Sequence, residues 1–118
     1  MVYNVRMDKF HALADPTRRK IIELLARQGE LPASEIYANF KASPPAISQH
    51  LKVLREAGLV KMEKRAQQRI YRINPQAMLE VEDWSNQLTQ LWNQRLDALD
   101  ELLNIEKEKN LKGIGKDG

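Results

Sequence analysis

Ser43 to Val60 reads SPPAISQHLKVLREAGLV, and its spacing predicts one helix with a defined start and stop. Ser43 is a good N-cap, and Pro44 suits the first helical position, where a missing N–H costs nothing. Ile47, Leu51 and Leu54 recur at four and three residues and form one apolar stripe, while Gly58 fits the left-handed residue that ends a helix. The helix therefore spans about Ser43 to Ala57. At 100° per residue, Pro44, Ser48, Lys52 and Arg55 gather opposite the stripe, with Pro45, Gln49 and Glu56 beside them. Small residues from Ser43 to Gln49 allow the helix N-terminus to approach base edges, and Lys52 and Arg55 are placed to reach phosphates. Solvation alone explains a basic helix face equally well, so the neighbouring segments decide the matter.

Leu31 to Phe40 reads as a short helix with Ile36 and Phe40 on one side, and Lys41-Ala42 as a tight turn, giving a helix-turn-helix. Leu59 to Lys64 and Gln68 to Ile73 alternate as strands, with Val60/Met62 and Tyr71/Ile73 on one face. Arg65-Ala66-Gln67 forms the tip between them. A hairpin directly after a recognition helix is a wing, and Lys64, Arg65, Gln67, Gln68 and Arg69 are suited to phosphate or minor-groove contact. Before the helix-turn-helix, two helices are expected. Asp15-Pro16 caps the second, Ile21, Ile22, Leu24 and Leu25 give its apolar face, and Gly29 stops it.

Asn74-Pro75 repeats the cap-and-proline signal and opens the longest periodic segment. Val81, Trp84, Leu88, Leu91, Trp92, Leu96, Leu99, Leu102 and Leu103 predict a helix from Pro75 to about Asn104, roughly 45 Å long. A small domain's core cannot cover that length. Its symmetry mate is the simplest partner, giving a homodimer in which Met7, Phe10 and Leu13 join Trp84, Leu88, Leu91, Trp92 and Leu99; folding back on its own subunit is the alternative. Residues 1–104 are expected to form one DNA-binding and dimerisation domain. Residues 105–118, charged and glycine-containing, are expected to be a flexible tail.

With 118 residues, 42% hydrophobic and 30% charged, the composition is that of a soluble protein of one domain. Lacking a 20-residue apolar run or a signal-peptide core, it is expected to be cytoplasmic, with no membrane partner. The absence of cysteine excludes disulfides and thiolate metal sites. Charge is unevenly distributed: residues 1–75 hold 14 Lys and Arg against 7 Asp and Glu, and residues 76–118 hold 5 against 9. A basic front and an acidic tail suit a polyanion bound at the front. No nucleophile elbow, phosphate-binding glycine loop or H-E-x-x-H motif is present, so no enzyme and no cofactor are expected.

LADPTRRKIIELL (Leu13 to Leu25), SPPAISQHLKVLREAGLV and QQRIYRIN (Gln67 to Asn74) resemble, in order, the ArsR-type winged-helix transcriptional repressors, over roughly residues 8 to 104. The resemblance implies a mainly α fold with a small β-hairpin, about five helices and a wing, homodimeric through the first and last helices. It implies a repressor of double-stranded DNA operators with inverted repeats, including its own promoter. The tail with Trp84 and LWNQRLDALDELL (Leu91 to Leu103) is similar to the SdpR-like branch, which lacks metal sites. In the family the arginine of ADPTR, here Arg18, lies near the DNA backbone or braces the fold. His50 edges the apolar stripe and fits either a half-buried structural role or a base contact. His11 fits the dimer interface or plain surface. The expected DNA contacts are thus Arg18, Ser43, Pro44, Pro45, Ser48, Gln49, His50, Lys52, Arg55 and the five wing residues.

The chain departs from the family pattern at three places. Ala66 stands where the wing tip usually has glycine, which puts a tight turn with positive φ in doubt there. Pro32 replaces the usual Ser or Thr cap, and Pro45 removes an N–H that could bind phosphate. An inducer, small molecule or protein, has no signature in the sequence. A winged helix used only for protein contact is the competing function, and it would not need cations at Lys52, Arg55, Arg65 and Arg69.

Overall fold

Side-chain caps start the second and fourth helices at Asp15 and Ser43, as the sequence leads one to expect, and the first helix at Asp8, which the sequence pattern does not single out. A computed structural model describes residues 8–116, with side chains through Leu111; Met7, one of the expected interface residues, lies outside the described residues. In chain order the elements are α1 (Lys9–Leu13), α2 (Pro16–Gln28), β1 (Glu30–Pro32), α3 (Ala33–Ala38), α4 (Pro44–Glu56), β2 (Val60–Arg65), β3 (Gln68–Ile73) and α5 (Pro75–Lys116). Asp8, Asp15 and Ser43 cap α1, α2 and α4 by accepting from the backbone N–H three residues on. Pro32 precedes α3 and supplies no side-chain cap. The fold is a mainly helical winged helix-turn-helix, with five helices and a small sheet among the described residues.

Helix α4 ends in a full Schellman motif. Gly58 takes φ 77°, its N–H donates to Arg55 O at 3.0 Å, and Leu59 N–H donates to Leu54 O at 3.0 Å. Leu54 and Leu59 are both fully buried, the apolar contact that accompanies this cap. Asn74 then ties this corner to the next helix. Its Nδ2 donates to Gly58 O and its backbone N–H to Leu59 O, both at 2.8 Å, while its Oδ1 accepts from Gln76 N–H at the start of α5.

Two compact units make up the chain, one ending at Val81 and one beginning at Glu82. In the first, Ile21 and Leu25 of α2, Ile36 of α3, Ile47, Leu51 and Leu54 of α4, and Leu31, Leu59, Val60 and Tyr71 build the core. The sheet, in order β1-β3-β2, is antiparallel throughout. Val60 pairs with Ile73 and Met62 with Tyr71, so these four residues do share the inward face. In the second unit α5 carries a row of exposed leucines and tryptophans.

Three local expectations are corrected. Glu30–Pro32 is a strand paired with Ile70–Arg72, so the helix expected from Leu31 starts only at Ala33; proline has no N–H for a ladder and sits at the strand's end, where none is needed. Ala66 does adopt the left-handed region, at φ 54°, and Ala66-Gln67 closes a two-residue turn between Arg65 and Gln68. Finally, α5 continues past Asn104 to Lys116. Residues 105–111 are mostly Glu, Lys, Leu and Ile, good to fair helix formers whose Glu106–Lys109 spacing favours continuation.

Candidate nucleic-acid interface

Burial of Ile47, Leu51 and Leu54 fixes the rotation of α4 about its own axis. The opposite side is thereby presented outward: Ser43, Pro44, Pro45, Ser48, Gln49, Lys52 and Arg55 are all exposed. The Ser43 hydroxyl is already used as the cap, accepting from Ala46 N–H at 3.4 Å. Among the described residues no carboxylate pairs with Lys52 or Arg55. Two unneutralised cations thus lie along a helix whose first turns are short-chained, the arrangement that lets a helix enter a groove with phosphates on its flank.

Arg18 and His50, each expected as a DNA contact or a structural residue, meet where α1, α2 and α4 come together. Arg18 Nε donates to Ala12 O at 2.7 Å, satisfying a carbonyl at the end of α1. Its Nη1 lies 3.3 Å from His50 Nδ1, and its backbone N–H donates to Asp15 at 3.0 Å. That last bond holds the Asp15 carboxyl below the usual aspartate range against the opposing effect of partial burial. Of the two roles open to each residue, the observed contacts are those of a brace. Arg19 and Lys20, the next two residues of α2, are exposed. His11 is exposed too, its backbone N–H donating to Asp8.

In the wing, the strand alternation separates the cations. Lys64 and Arg69 face one another across the hairpin, and among the described residues neither has a carboxylate partner. Arg69, Gln67 and Gln68 line an open groove of about 360 Å³ whose other wall is Ser34 and Tyr37 of α3. Sequence reasoning missed Ser34 and Tyr37, because only the β1–β3 pairing brings the start of α3 to the wing. Arg65 is placed differently from expectation. Its guanidinium bonds both oxygens of Glu30, at 2.5 and 3.2 Å, and Glu63 at 2.9 Å. The Arg65 hydrogen bond lowers the Glu30 carboxyl and, with Glu63, raises the arginine further.

Of the residues expected at a dimer interface, Leu13 is half-buried against the core and Phe10 is 42% exposed. In the second unit Trp84, Leu88, Leu91, Trp92 and Leu99 are between 47% and 63% exposed. Among the described residues no three His, Asp or Glu side chains gather as metal ligands, and no helix is long and apolar enough to cross a membrane.

The family model for bacterial regulatory proteins of the arsR family matches residues 15–62, from the cap of α2 into β2. The transcriptional repressor SdpR of Bacillus subtilis (strain 168) is 36% identical over 75 residues, 64% of this chain and 82% of the relative. The HTH-type transcriptional regulator Rv2034 of Mycobacterium tuberculosis is 36% identical over 97 residues, 82% of this chain and 87% of the relative. Among solved structures, an ArsR-like transcriptional regulator from Rhodococcus sp. RHA1 superposes with a TM-score of 0.67 at 29% identity, over 79% of this chain and 87% of that one. With the core, the cap of α4 and the wing in the order described, this chain belongs to the arsR family of bacterial regulatory proteins.

Proposed function

We propose that the protein is a DNA-binding transcriptional repressor that acts as a homodimer on an inverted-repeat operator. The observation that carries this reading is the exposed side of α4, where Ser48 and Gln49 stand next to Lys52 and Arg55, two cations that have no carboxylate partner among the described residues. Ser48 and Gln49 read base edges in the major groove. Lys52, Arg55 and the wing residues Lys64, Gln67, Gln68 and Arg69 hold the backbone or the flanking minor groove. Pro44 and Pro45 line the entry of the helix, where Pro45 removes one N–H, so each half-site supplies modest discrimination.

Two copies supply the rest. A contiguous apolar row from Trp84 to Leu103, each of its large residues at least 40% exposed, is more than a lone surface leaves to water. A two-fold dimer through α5, joined by Phe10 and Leu13 of α1, sets the two α4 helices one turn of DNA apart, about 10 base pairs centre to centre. Bound at a promoter, its own included, such a dimer excludes polymerase.

Titration of random duplex DNA at increasing salt tests the reading. Affinity should fall steeply, with a log–log slope of about −0.9 per phosphate neutralised. No measurable binding at low salt would leave a protein-contact module instead.

A further inference from the structure

The wing has two faces, and alternation along its strands sorts the cations between them. Lys64 and Arg69 stand directly opposite one another, on the side of Met62 and Tyr71. Arg65 projects from the other side with Glu63, where the register sets Glu30 opposite Arg72. There Arg65 holds both Glu30 oxygens and one of Glu63, and Glu63 lies 3.8 Å from Arg72.

We propose that Arg65 and Glu30 are positioning residues that tie the wing tip back to β1, while Lys64 and Arg69 on the opposite side meet the phosphates. This rests on the DNA-reading function above. Three observations support it. First, β1 ends at Pro32 opposite Ile70, so the outer hairpin is a bare two-stranded ribbon, which is marginal alone; the Arg65–Glu30 contact reaches back across that end. Second, a guanidinium bonded to two carboxylates offers no free fork, and releasing it would set Glu30 beside a polyanion without its partner and leave Glu63 only the longer contact to Arg72. Third, Lys64 and Arg69 face each other with no acidic partner among the described residues, an arrangement unfavourable by itself that a phosphate relieves. Exposed pairs add little to global stability, so the effect falls on wing orientation.

The sign of one substitution separates a strut from a competitor. Glu30→Gln removes a negative charge near DNA; if Arg65 were a phosphate contact restrained by Glu30, binding would tighten. The strut predicts the reverse: Glu30→Gln and Arg65→Ala each weaken duplex binding about 3- to 10-fold with an unchanged salt slope, and the double variant is no worse than either. Lys64→Ala and Arg69→Ala each flatten the slope by about 0.9. In the free protein, Glu30→Gln should lower the NMR order parameters of Ala66 to Gln68. Tighter binding by Glu30→Gln, a flatter slope for Arg65→Ala, or an equally ordered tip in Glu30→Gln overturns the strut. A wild-type protein that ignores duplex DNA overturns the function instead, and the order parameters still decide whether the tie exists.

Discussion

Arg18 of α2 and His50 of α4 meet nitrogen to nitrogen, 3.3 Å apart. A guanidinium can only donate, so a hydrogen bond between the two uses the lone pair of His50 Nδ1 and leaves the ring proton on Nε2, although the same Nδ1 also lies 3.9 Å from Asp15 Oδ2. Gln49, the proposed base reader, is the neighbouring residue, so this contact ties the recognition helix to α2 one residue away from it. A long-range ¹H–¹⁵N spectrum should show the Nε2–H tautomer for His50. A proton on Nδ1 would contradict the contact.

Because Arg18 also bonds the carbonyl of Ala12, a fully buried residue, Arg18→Ala leaves a buried acceptor unpaired. Urea denaturation should show a loss of about 1–3 kcal/mol. Arg18→Lys should recover only part of it, since an ammonium lacks the fork that serves Ala12 and His50 together.

Asp15 should shape the acid limb of stability. Its folded pKa is depressed by the Arg18 backbone N–H. Its contribution is therefore complete above the unfolded aspartate value, about 3.9, and is lost as pH falls through the lower folded value. Asp15→Asn keeps an equally good cap, so it should change little at neutral pH and make the melting temperature fall less steeply over roughly pH 5 to 2. An acid limb identical to wild type would rule this out.

Ala66 at φ 54° carries the steric penalty of a left-handed residue with a Cβ, about 1–2 kcal/mol, against glycine's entropic cost of about 0.5–1 kcal/mol. Ala66→Gly should stabilise the protein by about 0.5–1 kcal/mol in thermal melts. A destabilised variant would mean the turn is held differently.

Much of this architecture could be read directly from the chain. Ser43, Asp15 and Gly58 announce their roles because caps and left-handed stops are local. The inward set Val60, Met62, Tyr71 and Ile73 follows from alternation alone. Most of what escaped was non-local. Glu30 lies 35 residues from Arg65, and only the pairing of β1 with β3, in a segment whose Leu31-Pro32-Ala33 reads equally as a helix start, brings them together. For the same reason Arg65 and Lys64 look equivalent in sequence and are opposite in placement. The helical run beyond Asn104 was missed because apolar periodicity stops there while helix propensity does not.

Leu88 and Trp92, 51% and 58% exposed, lie in the middle of the apolar row. Leu88→Glu with Trp92→Ala should shift sedimentation from dimer to monomer and reduce operator affinity by at least tenfold, while the salt slope per bound copy persists. A dimeric double variant would place the interface elsewhere.

Selection of bound sequences from a random duplex pool tests the central claim most directly. A homodimer with α4 in successive major grooves predicts an imperfect inverted repeat with half-sites about 10 base pairs apart, and Gln49→Ala should relax preference at particular positions in both halves. A pool that shows no enrichment, or enriches only a single asymmetric half-site, would contradict the account.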